Sequence, residues 1–185
     1  MLRAIHIGLG LAIAGTALAG PASAAECTHV IDSDGFPVWS ADCDTTLKPG
    51  VLGPLRMGKT TVKQAKQLGY LVRNDLCDRV DGIGTGGDWT SRKGKIVAWQ
   101  ARFPTSKGLK VGQRLARALA LYPTASRTGF VKNPYTSGGW NIYSTKGAKG
   151  WLDIYVDSES TKIELFYARA KRLPGPVMSW AFDGC

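Results

Sequence analysis

The chain has 185 residues, 44% of them hydrophobic and 21% charged, and its 24 Lys and Arg against 14 Asp and Glu give a net charge of +10. This length suits one domain with a substantial core. The histidines, His6 and His29, are too few for a histidine metal cluster, and the cysteines form no C-x-x-C pair of the kind that zinc sites use.

The first 24 residues have the three parts of a secretory signal. Arg3 supplies a positive start, residues 4–20 are apolar, and Ala22-Ser23-Ala24 is an A-x-A cleavage site. A transmembrane anchor is the alternative, but the apolar run is short and meets the cleavage site directly. We expect residues 1–24 to be removed and residues 25–185 to form a single secreted domain, monomeric and without a membrane span.

Four cysteines follow the signal: Cys27, Cys43, Cys77 and Cys185. An even number in an exported chain predicts two disulfides, for which three pairings exist. We favour Cys27–Cys43, which would staple a hairpin around the turn signal at residues 32–35, and Cys77–Cys185, which would tie down the last residue.

Gly53 to Thr60 fits the P-loop pattern G-x-x-x-x-G-K-[ST] at every fixed position. A P-loop wraps phosphates with free backbone N–H groups, and Pro54 removes one of them. Leu55 and Met57 alternate with Arg56 as in a strand. We therefore interpret the match as a strand–glycine–helix corner and predict no nucleotide or other cofactor.

A helix and a long strand are predicted after this corner. Thr60 or Thr61 can cap a helix that ends at Gly69. Residues 95–103 alternate between two faces as a strand does, and Pro104 ends that strand.

The same order returns in the second half of the chain. Leu109-Lys110-Val111-Gly112 repeats the pattern of Leu55-Arg56-Met57-Gly58, and apolar residues at helical spacing follow from Leu115 to Tyr122. Alternation in residues 151–157 and 162–168 then predicts a hairpin.

These patterns predict an α+β fold with two pseudo-repeats, at about 47–104 and 105–173. Short helices would pack on one face of an antiparallel sheet, and two disulfides would staple the domain.

The glycine units also resemble a known family. The pattern Gly-x-Leu-x-x-Gly-x-Thr before a short helix ending in Leu-Gly resembles small exported bacterial proteins with the β-lactamase-inhibitor-protein-like fold, which SmpA/OmlA-type lipoproteins share. A set of uncharacterised secreted bacterial proteins is more similar still, with a G-P-L-x-x-G-x-T unit, here 53–60, and a T-x-x-G-[LI]-x-V-G unit, here 105–112. The resemblance implies a protein that binds other proteins and is not an enzyme.

The basic residues are unevenly distributed. Residues 89–152 contain 12 Lys and Arg and no acid. Such a run is either a solvated face or a surface for an anionic partner, such as a cell-envelope polymer, nucleic acid or an acidic protein.

The outer face of the predicted sheet carries the candidate partner-binding residues. Strand alternation places Trp151, Tyr155 and Phe166 outward, and Arg102 and Lys110 supply charge nearby. Aromatic residues with arginine are typical of binding hot spots. The alternative is that another part of the chain covers this face and makes it core. The same alternation would turn residues 163, 165 and 167 inward.

Catalytic residues are not predicted. His29 is alone in the mature chain, and the Asp32/Asp34 and Asp42/Asp44 pairs suit turn capping better than acid–base chemistry. The leading hypothesis is a secreted non-enzymatic binding protein, such as an inhibitor of an extracellular or cell-wall enzyme. A cell-envelope or polyanion-binding module is one alternative, and a small secreted hydrolase using His29 or an Asp pair is another.

Overall fold

The largest element of the structure is a six-stranded antiparallel sheet. The computed structural model describes residues 27–34, 37–74, 79–83, 89–133 and 137–175. In chain order its elements are β1 (His29–Ile31), β2 (Pro37–Trp39), β3 (Leu47–Lys48), β4 (Val51–Leu52), β5 (Leu55–Arg56), α1 (Val62–Gln67), β6 (Leu71–Asn74), β7 (Arg79–Gly82), β8 (Trp89–Arg92), β9 (Lys95–Ala101), α2 (Leu115–Leu121), β10 (Ser126–Lys132), β11 (Gly139–Lys146), β12 (Gly150–Asp157) and β13 (Ile163–Ala170).

The strands form one large sheet and three small ones. The large sheet has the order β10-β11-β12-β13-β9-β8. The strands β3, β4 and β5 make a three-stranded sheet, while β1 pairs with β2 and β6 pairs with β7. Because β13 lies between β12 and β9, the two halves of the chain share one sheet and one core.

The expected α+β fold is wrong, because the protein is mostly β. Strands account for 48% of the structure and helices for 10%. The helices α1 and α2 have six and seven residues, and the one side chain that each fully buries is Ala65 in α1 and Ala118 in α2. Helices of about two turns or less bury too little apolar surface to form a layer over the sheet.

Two glycine corners have the same hydrogen bonds. The N–H of Gly58 donates to the carbonyl of Ile96 at 2.6 Å, and the N–H of Gly112 donates to the carbonyl of Ile163 at 2.8 Å. Both glycines have positive φ, 79° and 83°, which favours glycine over other residues. These hydrogen bonds fix each corner to the beginning of an inner strand of the large sheet, β9 for the first corner and β13 for the second. The boundaries predicted for the pseudo-repeats stay predictions.

A β-bulge in β13 changes which side chains face the core. Val156 pairs with Ile163 but Tyr155 pairs with Leu165, so Glu164 is an extra residue in the strand. Beyond it every side chain lies on the face opposite to the one that alternation predicts. Phe166, expected to face outward, is therefore fully buried in the main core.

The second face of the large sheet is buried as well. Tyr155, Leu165 and Tyr167 form a separate cluster with Ala98 and Ile142. Tyr155 is fully buried, and its ring lies 5.2 Å from that of Tyr167. This face is core, which was the alternative interpretation, and it does not present an exposed aromatic surface.

The first disulfide is confirmed and pins the entry hairpin. Cys27 and Cys43 are bonded, with their Cα atoms 4.7 Å apart. The indole of Trp39 on β2 donates to the carbonyl of Gly69 at 2.7 Å, which ties this hairpin to the end of α1. Cys77 and Cys185, the second predicted pair, lie outside the described residues.

Candidate anion-binding cleft

The P-loop-like segment has no free N–H groups at its glycine corner. The N–H groups of residues 57–60 donate to the carbonyls of Gly50, Ile96 and, twice, Arg56, at 2.6 to 3.0 Å. A phosphate cradle needs such groups pointing at the ligand. The backbone here is fully used in holding the corner together, so the segment is not a nucleotide cradle.

The side chains of this corner nevertheless line a cleft with a volume of about 360 Å³. Six of its lining residues are cationic and none is acidic. We call this the cationic cleft, and its cations are Arg56, Lys59, Lys95, Lys149, Lys171 and Arg172.

Four chain segments meet at the cationic cleft. The Gly58 corner is hydrogen-bonded to the start of β9, where Lys95 lies. Arg169 of β13 pairs with Ala98 of β9, so the end of β13 lies beside the start of β9. Residue 150 of β12 pairs with residue 170 of β13, which places the turn containing Lys149 beside Lys171 and Arg172.

The six cations are exposed and have no anionic counterpart. In the part of the chain that the structure describes, none of these side chains forms an ion pair or a hydrogen bond with a protein group. Like charges gathered in a concave surface raise the local positive potential and draw anions to it. The arrangement can therefore concentrate and hold an anion by electrostatics.

Trp151, one of the predicted partner-binding residues, lies next to the cationic cleft. Its indole N–H donates to the carbonyl of Lys171 at 3.3 Å. The ammonium of Lys146 and the guanidinium of Arg169 lie 5.4 and 5.0 Å from the ring centroid. These distances are those of cation–π contacts, so the half-buried indole attracts two cations at this end of the sheet.

The other predicted partner residues do not join this site. Tyr155 and Phe166 are fully buried, so neither can contact a partner in this structure. Arg102 and Lys110 are exposed but do not line the cationic cleft.

Four of the six cations of the cationic cleft were missed from the sequence. The basic stretch 89–152 contains Lys95 and Lys149, but Arg56, Lys59 and the pair Lys171-Arg172 lie outside it. The glycine corner at residues 53–60 is the sequence feature that could have indicated Arg56 and Lys59.

A buried ionic network lies beneath Trp151. Arg169 donates to Asp153 through Nε and Nη2 at 2.6 and 2.9 Å, and Ser144 Oγ donates to the same carboxylate at 2.6 Å. Arg169 Nη1 also donates to the carbonyl of Leu173 at 2.7 Å. The carboxylate is thus fully engaged, and the network fixes the chain that leaves β13.

The residues weighed for catalysis are not brought together in a catalytic arrangement. Asp32 and Asp44 accept N–H groups of their own turns, from Asp34 and Thr46 at 3.0 and 2.9 Å. His29 lies on β1 with its ring 6.1 Å from that of Trp39. These contacts are those of turns and packing.

Among the described residues, no group of three or more His, Cys, Asp and Glu side chains could hold a metal ion. Neither of the described helices is long and apolar enough to cross a membrane. No family model, curated protein or solved structure matches the chain.

Proposed function

We propose that this protein is a secreted, non-enzymatic binding protein whose ligand is an anionic polymer of the cell envelope. Residues 1–24 would direct export and be removed. The observation that carries the proposal is the convergence of six cations from four chain segments, with no acid among the lining residues. The full sequence has a net charge of +10, and the +9 left without Arg3 of residues 1–24 would add long-range attraction to the same ligand.

The burial of the second sheet face favours charge over aromatic docking. A protein partner held by Trp151, Tyr155 and Phe166 would need those rings at the surface, but two of them are fully buried. The cations of the cleft are all exposed. Of the two surfaces predicted from the sequence, the basic one is therefore more accessible to a ligand than the aromatic one.

The chemistry of the cleft suits a polymer better than one small, tightly specified ligand. Its backbone N–H groups at residues 57–60 are used internally, so recognition depends on long side chains. Lysine is a flexible point charge, and arginine can form two parallel hydrogen bonds to one phosphate or carboxylate. Such contacts tolerate different spacings along an anionic chain.

Salt dependence tests the proposal. Binding of fluorescein-labelled polyphosphate would be followed by anisotropy between 50 and 200 mM NaCl. We expect the logarithm of the association constant to fall linearly with the logarithm of the salt concentration. The slope of this line should be roughly −0.7 for each phosphate neutralised on a flexible strand. Affinity that is insensitive to salt would contradict the proposal.

A matched pair of variants tests the location of the site. The first carries Lys59→Glu, Lys95→Glu and Arg172→Glu in the cationic cleft. The control carries Arg102→Glu, Lys110→Glu and Arg127→Glu, which are exposed and outside it. Each triple change lowers the net charge by the same amount.

The two variants should differ in affinity. If each lost contact contributes about 1 kcal/mol, the cleft variant binds polyphosphate about a hundredfold more weakly, and the control loses only the smaller effect of net charge. An equal loss in both would mean that overall charge, rather than this cleft, holds the ligand.

A further inference from the structure

The cationic cleft continues into a second, apolar part. A neighbouring cavity of about 300 Å³ shares Gly58, Lys95, Ala170 and Arg172 with it. The remaining lining residues of this cavity are Val97 and Leu173, with Arg92 and Lys93 at the rim. We call it the apolar annexe. Each part by itself lies at the lower end of the size range of ligand sites, about 300 to 1,000 Å³.

The hairpin between β8 and β9 shapes the cationic rim of the apolar annexe. Arg92 pairs with Lys95 across a two-residue turn, in which Lys93 and Gly94 have positive φ of 52° and 70°. These values are those of the turn type that joins tightly twisted strands. The short turn holds Arg92, Lys93 and Lys95 at one edge of the cavity.

The floor of the apolar annexe is preformed. Val97 is the extra residue at a bulge in β9, where Ser91 pairs with Ile96 and Thr90 with Ala98, and it packs with the main core. Leu173 packs against the core, and its carbonyl is held by Arg169 of the buried ionic network. A fixed apolar floor beneath a cationic rim needs no rearrangement to accept a chain of methylene groups.

We propose that the anionic group recognised by the cationic cleft carries an aliphatic chain, which lies in the apolar annexe over Val97 and Leu173. The ligand class is then an anionic polymer that bears an aliphatic chain and is thus an amphiphile, with a phosphate-type head among Lys95, Lys149 and Arg172. Charge complementarity at the shared residues Lys95 and Arg172 sets the orientation, since the head must stay with the cations and the tail must leave water. This proposal rests on the proposed function, because the cationic cleft must first bind anions.

A series of n-alkyl phosphates, from methyl to octyl, tests the proposal by titration calorimetry with the full mature protein. We expect each added methylene to tighten binding about fourfold until the annexe is filled, as burial of a methylene group predicts. Val97→Ser and Leu173→Ser should each reduce this dependence on chain length, which is measured as the ratio of octyl to methyl phosphate affinity within each variant. Phe130→Ser, which removes an exposed apolar side chain elsewhere, should change neither.

The possible outcomes distinguish failure of the amphiphile proposal from failure of the cationic cleft. Equal affinity for methyl and octyl phosphate would overturn the amphiphile and leave the cationic cleft standing. The absence of binding for every alkyl phosphate and for polyphosphate would remove both. Unchanged dependence on chain length in both serine variants would also overturn the role of the apolar annexe.

Vesicles distinguish the two sources of such a ligand. Co-sedimentation with phosphatidylglycerol vesicles that is lost in Leu173→Ser would point to a lipid still in a membrane. Chain-length-dependent binding of octyl phosphate without co-sedimentation would point to a released amphiphile. Co-sedimentation together with equal affinity for methyl and octyl phosphate would overturn the proposal, since charge alone would then explain the vesicle binding.

Discussion

Tyr70 connects the entry hairpin region to the first glycine corner. Its side chain is almost fully buried, and its hydroxyl donates to the carbonyl of Asp44 at 2.7 Å. Gly53 lies so close that a Cβ there would be 2.8 Å from the hydroxyl oxygen. Burial, with a smaller contribution from the charge of Asp44, raises the pKa of Tyr70 to about 12. Ionisation would leave a buried phenolate beside a carbonyl oxygen.

Alkaline unfolding tests this environment. The pKa of tyrosine in an unfolded chain is about 10. Because the folded pKa is higher, the stability that neutral Tyr70 provides is fully present below pH 10 and is lost as the pH rises toward 12. We expect the free energy of unfolding in urea to fall over this range, and to fall less in Tyr70→Phe.

The comparison of the unmodified protein with Tyr70→Phe isolates Tyr70, because every other ionisable group is common to both. At neutral pH the substitution should cost about 1 kcal/mol, the net contribution of one hydrogen bond. An identical decline with pH in both proteins would show that Tyr70 is not responsible.

The first glycine corner depends on a capped helix. Thr61 is the N-cap of α1, and its hydroxyl accepts the N–H of Gln64 at 3.1 Å while the Gln64 side chain accepts the N–H of Thr61 at 2.9 Å. This is a capping box. At the second corner the N-cap of α2 is Arg114, whose side chain makes no capping hydrogen bond. The corner that carries the cationic cleft is therefore the one with the stronger helix start.

Removing the cap should weaken the first corner. We expect Thr61→Ala to lower the free energy of unfolding by about 1 kcal/mol, because the N–H of Gln64 loses its partner. Arg114→Ala is the matched control at α2, and it should lower the free energy of unfolding by less than half as much. Urea denaturation measures both, and equal losses would contradict a capping role for Thr61.

Local patterns predicted some elements and missed others for physical reasons. Both glycine corners are visible in the sequence because a positive φ selects glycine, and at the first corner a threonine hydroxyl also caps the helix that follows. The bulge at Glu164 has no local signature, since it depends on how β13 pairs with its neighbour. One extra residue then inverted the predicted faces of Phe166 and Tyr167. The helices are short, as expected, but each fully buries only one alanine, and the described chain is mostly strand, so the α+β fold class was wrong.

The candidate site is formed by the fold of the whole chain and does not lie within any one segment of it. Its cations come from residues 56–59, 95, 149 and 171–172, which antiparallel pairing of β9, β12 and β13 brings together. The sequence showed a basic stretch at 89–152, yet charge along the chain does not show which side chains share a cleft. Arg102 and Lys110 belong to that stretch and lie outside the site.

The central claim is that anions bind at the cationic cleft, and chemical-shift mapping tests it most directly. Tripolyphosphate would be titrated into the ¹⁵N-labelled protein at low salt. We predict that the largest amide shifts cluster at residues 56–59, 92–97, 148–150 and 170–173, and that they disappear in the Lys59→Glu, Lys95→Glu, Arg172→Glu variant. Shifts that cluster instead around residues 102–117, or that spread evenly over all basic residues, would contradict the account.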